Sequence, residues 1–97
     1  MPRKSEADTR AELVRVFKAL GEPSRLLMVS RLAAGKCCAN DLVEATGLSQ
    51  PTVSHHLRIL EAADLIVFDG SSRYPYRYYQ LKPYALDRVA EALRGVL

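Results

Sequence analysis

The 97-residue chain has no apolar run of the roughly 18 or more residues that a membrane-spanning helix needs. It also lacks internal repeats, low-complexity tracts and long blocks of like charge, so its composition is neither that of a disordered tail nor that of a fibre. Cysteine is scarce: the chain has two, side by side at Cys37 and Cys38. The N-terminal residues Met1-Pro2-Arg3-Lys4-Ser5-Glu6 are charged and lead into no apolar signal core, so a cytoplasmic, nucleoid-associated location is expected. In that compartment cysteines stay mostly reduced.

What is present is an ordinary globular composition, 48% hydrophobic and 26% charged, in a chain of a size for one domain spanning residues 1–97. A core in such a chain buries roughly 60 to 70% of the unfolded surface. The formal net charge of +3 permits a polyanionic partner without demanding one, so the placement of the charges has to decide.

The periodicity predicts a mainly α chain with one β-hairpin. Leu13, Val16, Phe17 and Leu20 form a helical stripe over residues 6–20 that stops at Gly21, with Pro23 beyond. Ser24 is the expected cap of a second helix whose Leu26, Leu27, Val29 and Leu32 face a core and which ends at Gly35. A short third helix is expected over 41–46, capped by Asn40 and stopped by Gly47. Ser49 caps a fourth, with Pro51 in the first turn where no N–H partner is lost, running to about Asp64. Residues 65–68 and 76–81 read as strands joined by the turn chemistry of Asp69-Gly70-Ser71-Ser72. Leu86, Val89, Ala90, Leu93 and Val96 place a stripe on a last helix over 84–97.

Residues 41–64 thus form a short helix, a glycine turn and a longer capped helix. This is the helix-turn-helix order, in which the second helix enters the major groove by its N-terminal residues. At about 100° per residue, Leu57 and Leu60 fall within about 40° of Val53 and face the core. Ser54, His55 and Arg58 then lie between about 100° and 200°, on a polar, cationic face without acids. Ser49 and Gln50 project from the helix start, and a glutamine can pair bidentately with adenine. His56 lies about 60° from the core axis and reads as a partly buried, hydrogen-bonded residue. A solvated helix face is the plainer explanation of the same residues. The hairpin, a "wing" over 65–81, tips the balance: Arg73 and Arg77 flank Tyr74-Pro75-Tyr76 and are expected outward, toward phosphate or minor groove, with most tyrosines packed.

These residues resemble a known family. The stretches "FKALGEPSRLLMVSRLAAG", "DLVEATGLSQPTVSHHLRILEAADLI" and "YYQL" are similar to the arsenic-repressor-type (ArsR/SmtB) winged-helix transcriptional repressors over most of the chain. The resemblance implies a homodimer joined by the first and last helices, bound to a pseudo-palindromic double-stranded operator and released by an inducer, often a thiophilic metal ion. Surplus apolar surface on residues 6–20 and 84–97 independently suggests a helical interface. Carried over residue by residue, the family's DNA-contact positions are Ser49, Gln50, Thr52, Ser54, His55 and Arg58. The wing departs from the pattern, because Tyr74-Pro75 stands where many members have Gly-Arg, which shifts that contact to Arg73 or Arg77.

In arsenic and cadmium sensors of the family, the segment matching "GKCCANDL" has cysteines on both sides of one residue. Here Cys38 matches the first, Asn40 holds the second position, and Cys37 is extra. The last-helix zinc site of related members is absent, since residues 84–97 lack histidine, and residues 1–36 offer no further thiol. Soft thiolates select soft ions, so arsenite, antimonite, cadmium or mercury at Cys37 and Cys38 is one reading of the pair. A nearby helix N-terminus would favour the thiolate. Redox sensing through a sulfenic acid or an intersubunit bond is a second, and small buried side chains without a sensing role a third. No obligatory cofactor is implied. An enzyme pairing either cysteine with His55 or His56 lacks any oxyanion device, and a winged helix used for protein contact is the remaining alternative.

Overall fold

The computed structural model describes residues 5–73 and 77–97. Its elements run α1 (Glu6–Leu20), α2 (Pro23–Ala34), β1 (Cys37–Cys38), α3 (Ala39–Thr46), α4 (Gln50–Ala62), β2 (Ile66–Phe68), β3 (Tyr78–Leu81) and α5 (Ala85–Val96).

Helix α1 opens with a reciprocal cap. The Asp8 N–H donates to Ser5 Oγ at 3.1 Å, and the Ser5 N–H donates to Asp8 Oδ2 at 3.3 Å. It ends at Gly21, where an added Cβ would lie 2.9 Å from the Phe17 carbonyl oxygen. Helix α2 begins two residues earlier than Ser24 capping predicts. Glu22 is the cap, its carboxylate accepting the Arg25 N–H at 2.9 Å, and Pro23 takes the first helical position, where its missing N–H costs nothing.

The buried face of α2 also differs from expectation. Met28, Val29 and Leu32 are buried, whereas Leu26 is 55% exposed and Leu27 stands at the surface beside it. Phe17 on α1 is likewise exposed, while Leu13, Val16 and Ala19 turn inward. The core is built from these residues together with Leu42, Val53, Leu57, Leu60, Ala63, Leu65 and Ile66. Burying each leucine fully contributes about 1.5 to 3 kcal/mol.

The expected hairpin is present, but as part of a three-stranded antiparallel sheet of order β1-β3-β2. Cys37 and Cys38 pair with Tyr79 and Tyr78, and Ile66, Val67 and Phe68 pair with Leu81, Gln80 and Tyr79. The second strand begins at Tyr78; the expected start at Tyr76 and the Tyr74-Pro75 departure lie outside the described residues.

Helix α5 starts at Ala85, because Tyr84 takes a left-handed conformation with φ 61° and cannot continue a helix. It packs along α1. Only Ala85 of this helix is buried; Leu86 is exposed, and Val89, Leu93 and Val96 are half-buried.

Candidate nucleic-acid interface

The turn between α3 and α4 is built from three local devices. Gly47 adopts φ 72°, a region open to glycine, and its N–H donates to the Val43 carbonyl at 2.8 Å. The Thr46 hydroxyl donates to the Leu42 carbonyl at 2.7 Å and accepts the Leu48 N–H at 3.2 Å, carrying the chain out of the helix. Ser49 then caps α4, accepting the Thr52 N–H at 3.4 Å, with Pro51 behind it in the first turn.

Helix α4 separates cleanly into two faces. Val53, His56, Leu57 and Leu60 are buried, as the helical count predicts. On the other side Ser49, Gln50, His55 and Arg58 are exposed, and Thr52 and Ser54 are half-buried. The six contact positions that the family resemblance implies on this segment therefore lie at the cap or on the outer side of one helix. Two of them are already engaged, since the Ser49 and Thr52 hydroxyls sit 2.9 Å apart in a hydrogen bond. A phosphate oxygen reaching them would meet a preformed pair of hydroxyls.

His56 is held from behind by Arg25, whose position in the second helix carries no sign of this role in the sequence. Arg25 Nη1 lies 3.0 Å from His56 Nδ1, Nε donates to the Ala19 carbonyl at 2.6 Å, and Nη2 donates to the Lys18 carbonyl at 3.3 Å. Glu22 Oε2 stands 4.0 Å from His56 Nε2. Burial is the main cause that pushes the His56 pKa below its ordinary value; Arg25 and His55 add to it and Glu22 opposes it. The buried, hydrogen-bonded histidine was legible from its angle on the helix, but its partner lies 31 positions away in sequence.

In the wing, Arg73 and Arg77 are both exposed, as expected. Arg77 is not idle: its guanidinium lies over the Phe68 ring, 4.3 Å from the centroid, and Phe68 meets Tyr79 edge-on at 6.1 Å. The turn is held by Asp69, which accepts from the Ser71 N–H at 2.9 Å, the Ser71 hydroxyl at 2.7 Å and Lys36 Nζ at 2.7 Å. Hydrogen bonding to Lys36 and Ser71 holds the Asp69 carboxyl at about 2, far below its ordinary value.

The cysteine pair differs from expectation. Asn40 is not the cap of α3; Cys38 is, and its N–H donates to Asp41 Oδ2 at 2.9 Å. The helix thereby starts two residues before Asp41. Successive residues of a strand project to opposite faces, so Cys37 and Cys38, side by side on β1, diverge. Cys37 packs against the core, and its thiol is pushed up by burial first and by Asp41 and Cys38 after it, the reverse of an activated thiolate. Among the described residues no three or more His, Cys, Asp or Glu side chains gather as a metal site. As folded, the two thiols of the chain do not converge on one point.

A short helix, a left-handed glycine turn and a second helix with a polar outer face, backed by a small antiparallel sheet, define a winged helix-turn-helix protein. Residues 22–67 match the model of the helix-turn-helix described as "Bacterial regulatory protein, arsR family". The arsenical resistance operon repressor of Staphylococcus xylosus is 37% identical over 82 residues, covering 84% of this chain and 77% of that protein. The transcriptional repressor SmtB of Mycobacterium tuberculosis is 36% identical over 94 residues, covering 94% of this chain and 67% of that protein. Among solved structures, the homodimeric winged helix-turn-helix DNA-binding domain of a possible ArsR-family regulator from Mycobacterium bovis aligns with TM-score 0.77 at 26% identity, covering 99% of this chain and 89% of that one. The chain belongs to the ArsR family of bacterial transcriptional regulators. It is a regulator and not an enzyme.

Proposed function

We propose that the protein is a homodimeric repressor, acting in the cytoplasm at the nucleoid, that binds double-stranded operator DNA through the outer face of α4. The observation that carries this reading is the division of α4, whose core-facing side is filled by Val53, His56, Leu57 and Leu60 while Gln50, His55 and Arg58 stand exposed. Gln50 at the helix start reads a base edge, Arg58 and His55 approach phosphate, and Ser49, Thr52 and Ser54 supply hydroxyls to the backbone. Arg73 reaches the flanking backbone from the wing. Arg77, stacked on Phe68, contributes charge from a fixed position. Residues 6–20 and 84–97 join two copies, and residues 41–64 and 65–81 make up the reading unit and its wing, within one domain over 1–97.

Operator binding to DNA upstream of the protein's own gene tests this. Arg58→Ala is expected to weaken binding to all sequences about tenfold or more and to lower the salt slope by about one. Gln50→Ala is expected to relax preference at one base pair, about 1 to 3 kcal/mol of discrimination. If neither substitution changes binding, α4 is not the reading helix, and protein contact becomes the better account.

The finer part of the reading is the inducer. The arsenical character of the staphylococcal relative supports a thiophilic metal or metalloid as its chemical class, and Cys37 and Cys38 are the soft donors available. Because the two thiols diverge on β1, this proposal carries the class of ion and no coordination geometry. Gel shifts with arsenite, antimonite, cadmium, mercury and peroxide, on the native protein and on a Cys37→Ser/Cys38→Ser variant, test it. Release of the native protein alone supports cysteine sensing, with peroxide marking the redox form. No release, or identical release of both proteins, overturns it.

A further inference from the structure

The contact between Arg25 and His56 joins three helices at one point, and its chemistry is one-sided. A guanidinium carries donors and no acceptor, so the 3.0 Å approach of Nη1 to Nδ1 requires a lone pair on that ring nitrogen. His56 must then be neutral with its proton on Nε2, the nitrogen that faces Glu22 Oε2 at 4.0 Å. The rest of the fork is committed to the Lys18 and Ala19 carbonyls in the last turn of α1, where carbonyls lack helical partners. One planar group therefore ties the end of α1 and the start of α2 to the middle of α4.

We propose that Arg25 and His56 are positioning residues for DNA reading: the guanidinium fork fixes the roll of α4 against α1, and the fixed pose exists only while the His56 imidazole is neutral. The proposal rests on the assignment of α4 as the reading helix. Because α1 is also assigned to the dimer contact, the clamp relates the reading face of each subunit directly to the subunit interface. That relation sets the separation of two reading helices across a palindrome.

Protonation of His56 at Nδ1 removes the acceptor and sets an imidazolium against a guanidinium. The groups facing the ring are Arg25 and Glu22 from α2, His55 from α4 itself, and the carbonyl end of α1 by way of Arg25. Glu22 favours the charged ring, but the same carboxylate oxygen already accepts the Arg25 N–H. The expected sign is full operator affinity above the His56 pKa and loss below it. Exposed His55 adds a contribution of its own from the outer side of α4. A His55→Gln background removes that contribution.

The experiment is operator binding by fluorescence anisotropy from about pH 8 to about pH 5.5 on the full chain. In the His55→Gln background, affinity is expected to fall severalfold by about pH 5.5, approaching the roughly tenfold effect of one unit of linked pKa change only below the His56 pKa of both the free and the bound state. His56→Asn, which keeps an amide oxygen close to the Nδ1 position, should retain affinity near pH 8 within about threefold and lose the pH dependence. Arg25→Lys keeps the charge without the fork and is expected to weaken binding about tenfold at every pH. Histidine ¹⁵N NMR without DNA should report the Nε2–H tautomer for His56. A binding protein whose profile is flat in the His55→Gln background, an Nδ1–H tautomer, or an unaltered Arg25→Lys overturns the clamp alone. A native chain that binds no operator overturns the α4 assignment and this proposal with it.

Discussion

Helices α4 and α5 are nearly equal in length, 13 and 12 residues, and both are amphipathic, yet the fold treats them differently. The apolar side of α4 is filled by this chain's own core, with Val53 and Leu60 fully buried. The apolar side of α5 is not: Leu86, Val89, Leu93 and Val96 keep solvent contact, and only Ala85 is buried. A helix whose apolar side is satisfied internally has its polar side free for a ligand. One whose apolar side remains open needs a second surface, and a solved structure of the same fold is homodimeric.

Cutting the α4 core contact should produce the largest effect. Leu60→Ala removes a fully buried side chain and is expected to cost about 2 to 5 kcal/mol, read from the midpoint of a urea unfolding curve. If the cost is small, α4 is less firmly seated than its burial implies. Leu93→Glu attacks the other helix, where an unfilled apolar face tolerates a charge in the monomer but not in a dimer. It is expected to shift the protein from dimer to monomer in sedimentation velocity and to reduce operator affinity roughly 100-fold, about 2.7 kcal/mol. A dimer unaffected by this change would mean that α5 is not the contact. The smallest effect belongs to the wing. With its folded pKa near 2 and an ordinary value of 3.8, Asp69 contributes stability that is fully present above about pH 4 and is lost as pH falls toward 2. Asp69→Asn should flatten acid unfolding in that window and lower stability at neutral pH by the same small amount that the native protein loses in acid.

The contrast between α4 and the cysteine segment explains what a sequence can convey. The inner face of α4 was legible because Val53, Leu57 and Leu60 repeat at the helical period, and the outer residues follow from the same geometry. Ser24 was a reasonable cap by residue type, but the Glu22 carboxylate followed by Pro23 makes a better helix start. Leu26 and Leu27 matched an apolar stripe, yet Met28 fills the core and turns them to the surface. Strand β1 was not legible, because two residues cannot show an alternation. Cys37 and Cys38 are extended because Tyr79 and Tyr78 pair with them from far along the chain. The Arg25–His56 contact was hidden for the same reason, as each partner is ordinary in its own neighbourhood.

Pairing between β1 and β3 also gives the protein an internal clock. Cys37 is half-buried, packs against the core and has a thiol held in its protonated form, so reagents that consume thiolates attack it slowly while the sheet is closed. Its rate of alkylation then reports how often the short strand detaches, a local opening separate from global unfolding. Operator DNA, if it holds the wing and the reading helix together, should lengthen that interval. The chemistry of one side chain thus becomes a timer for the motion of the segment between α2 and α3.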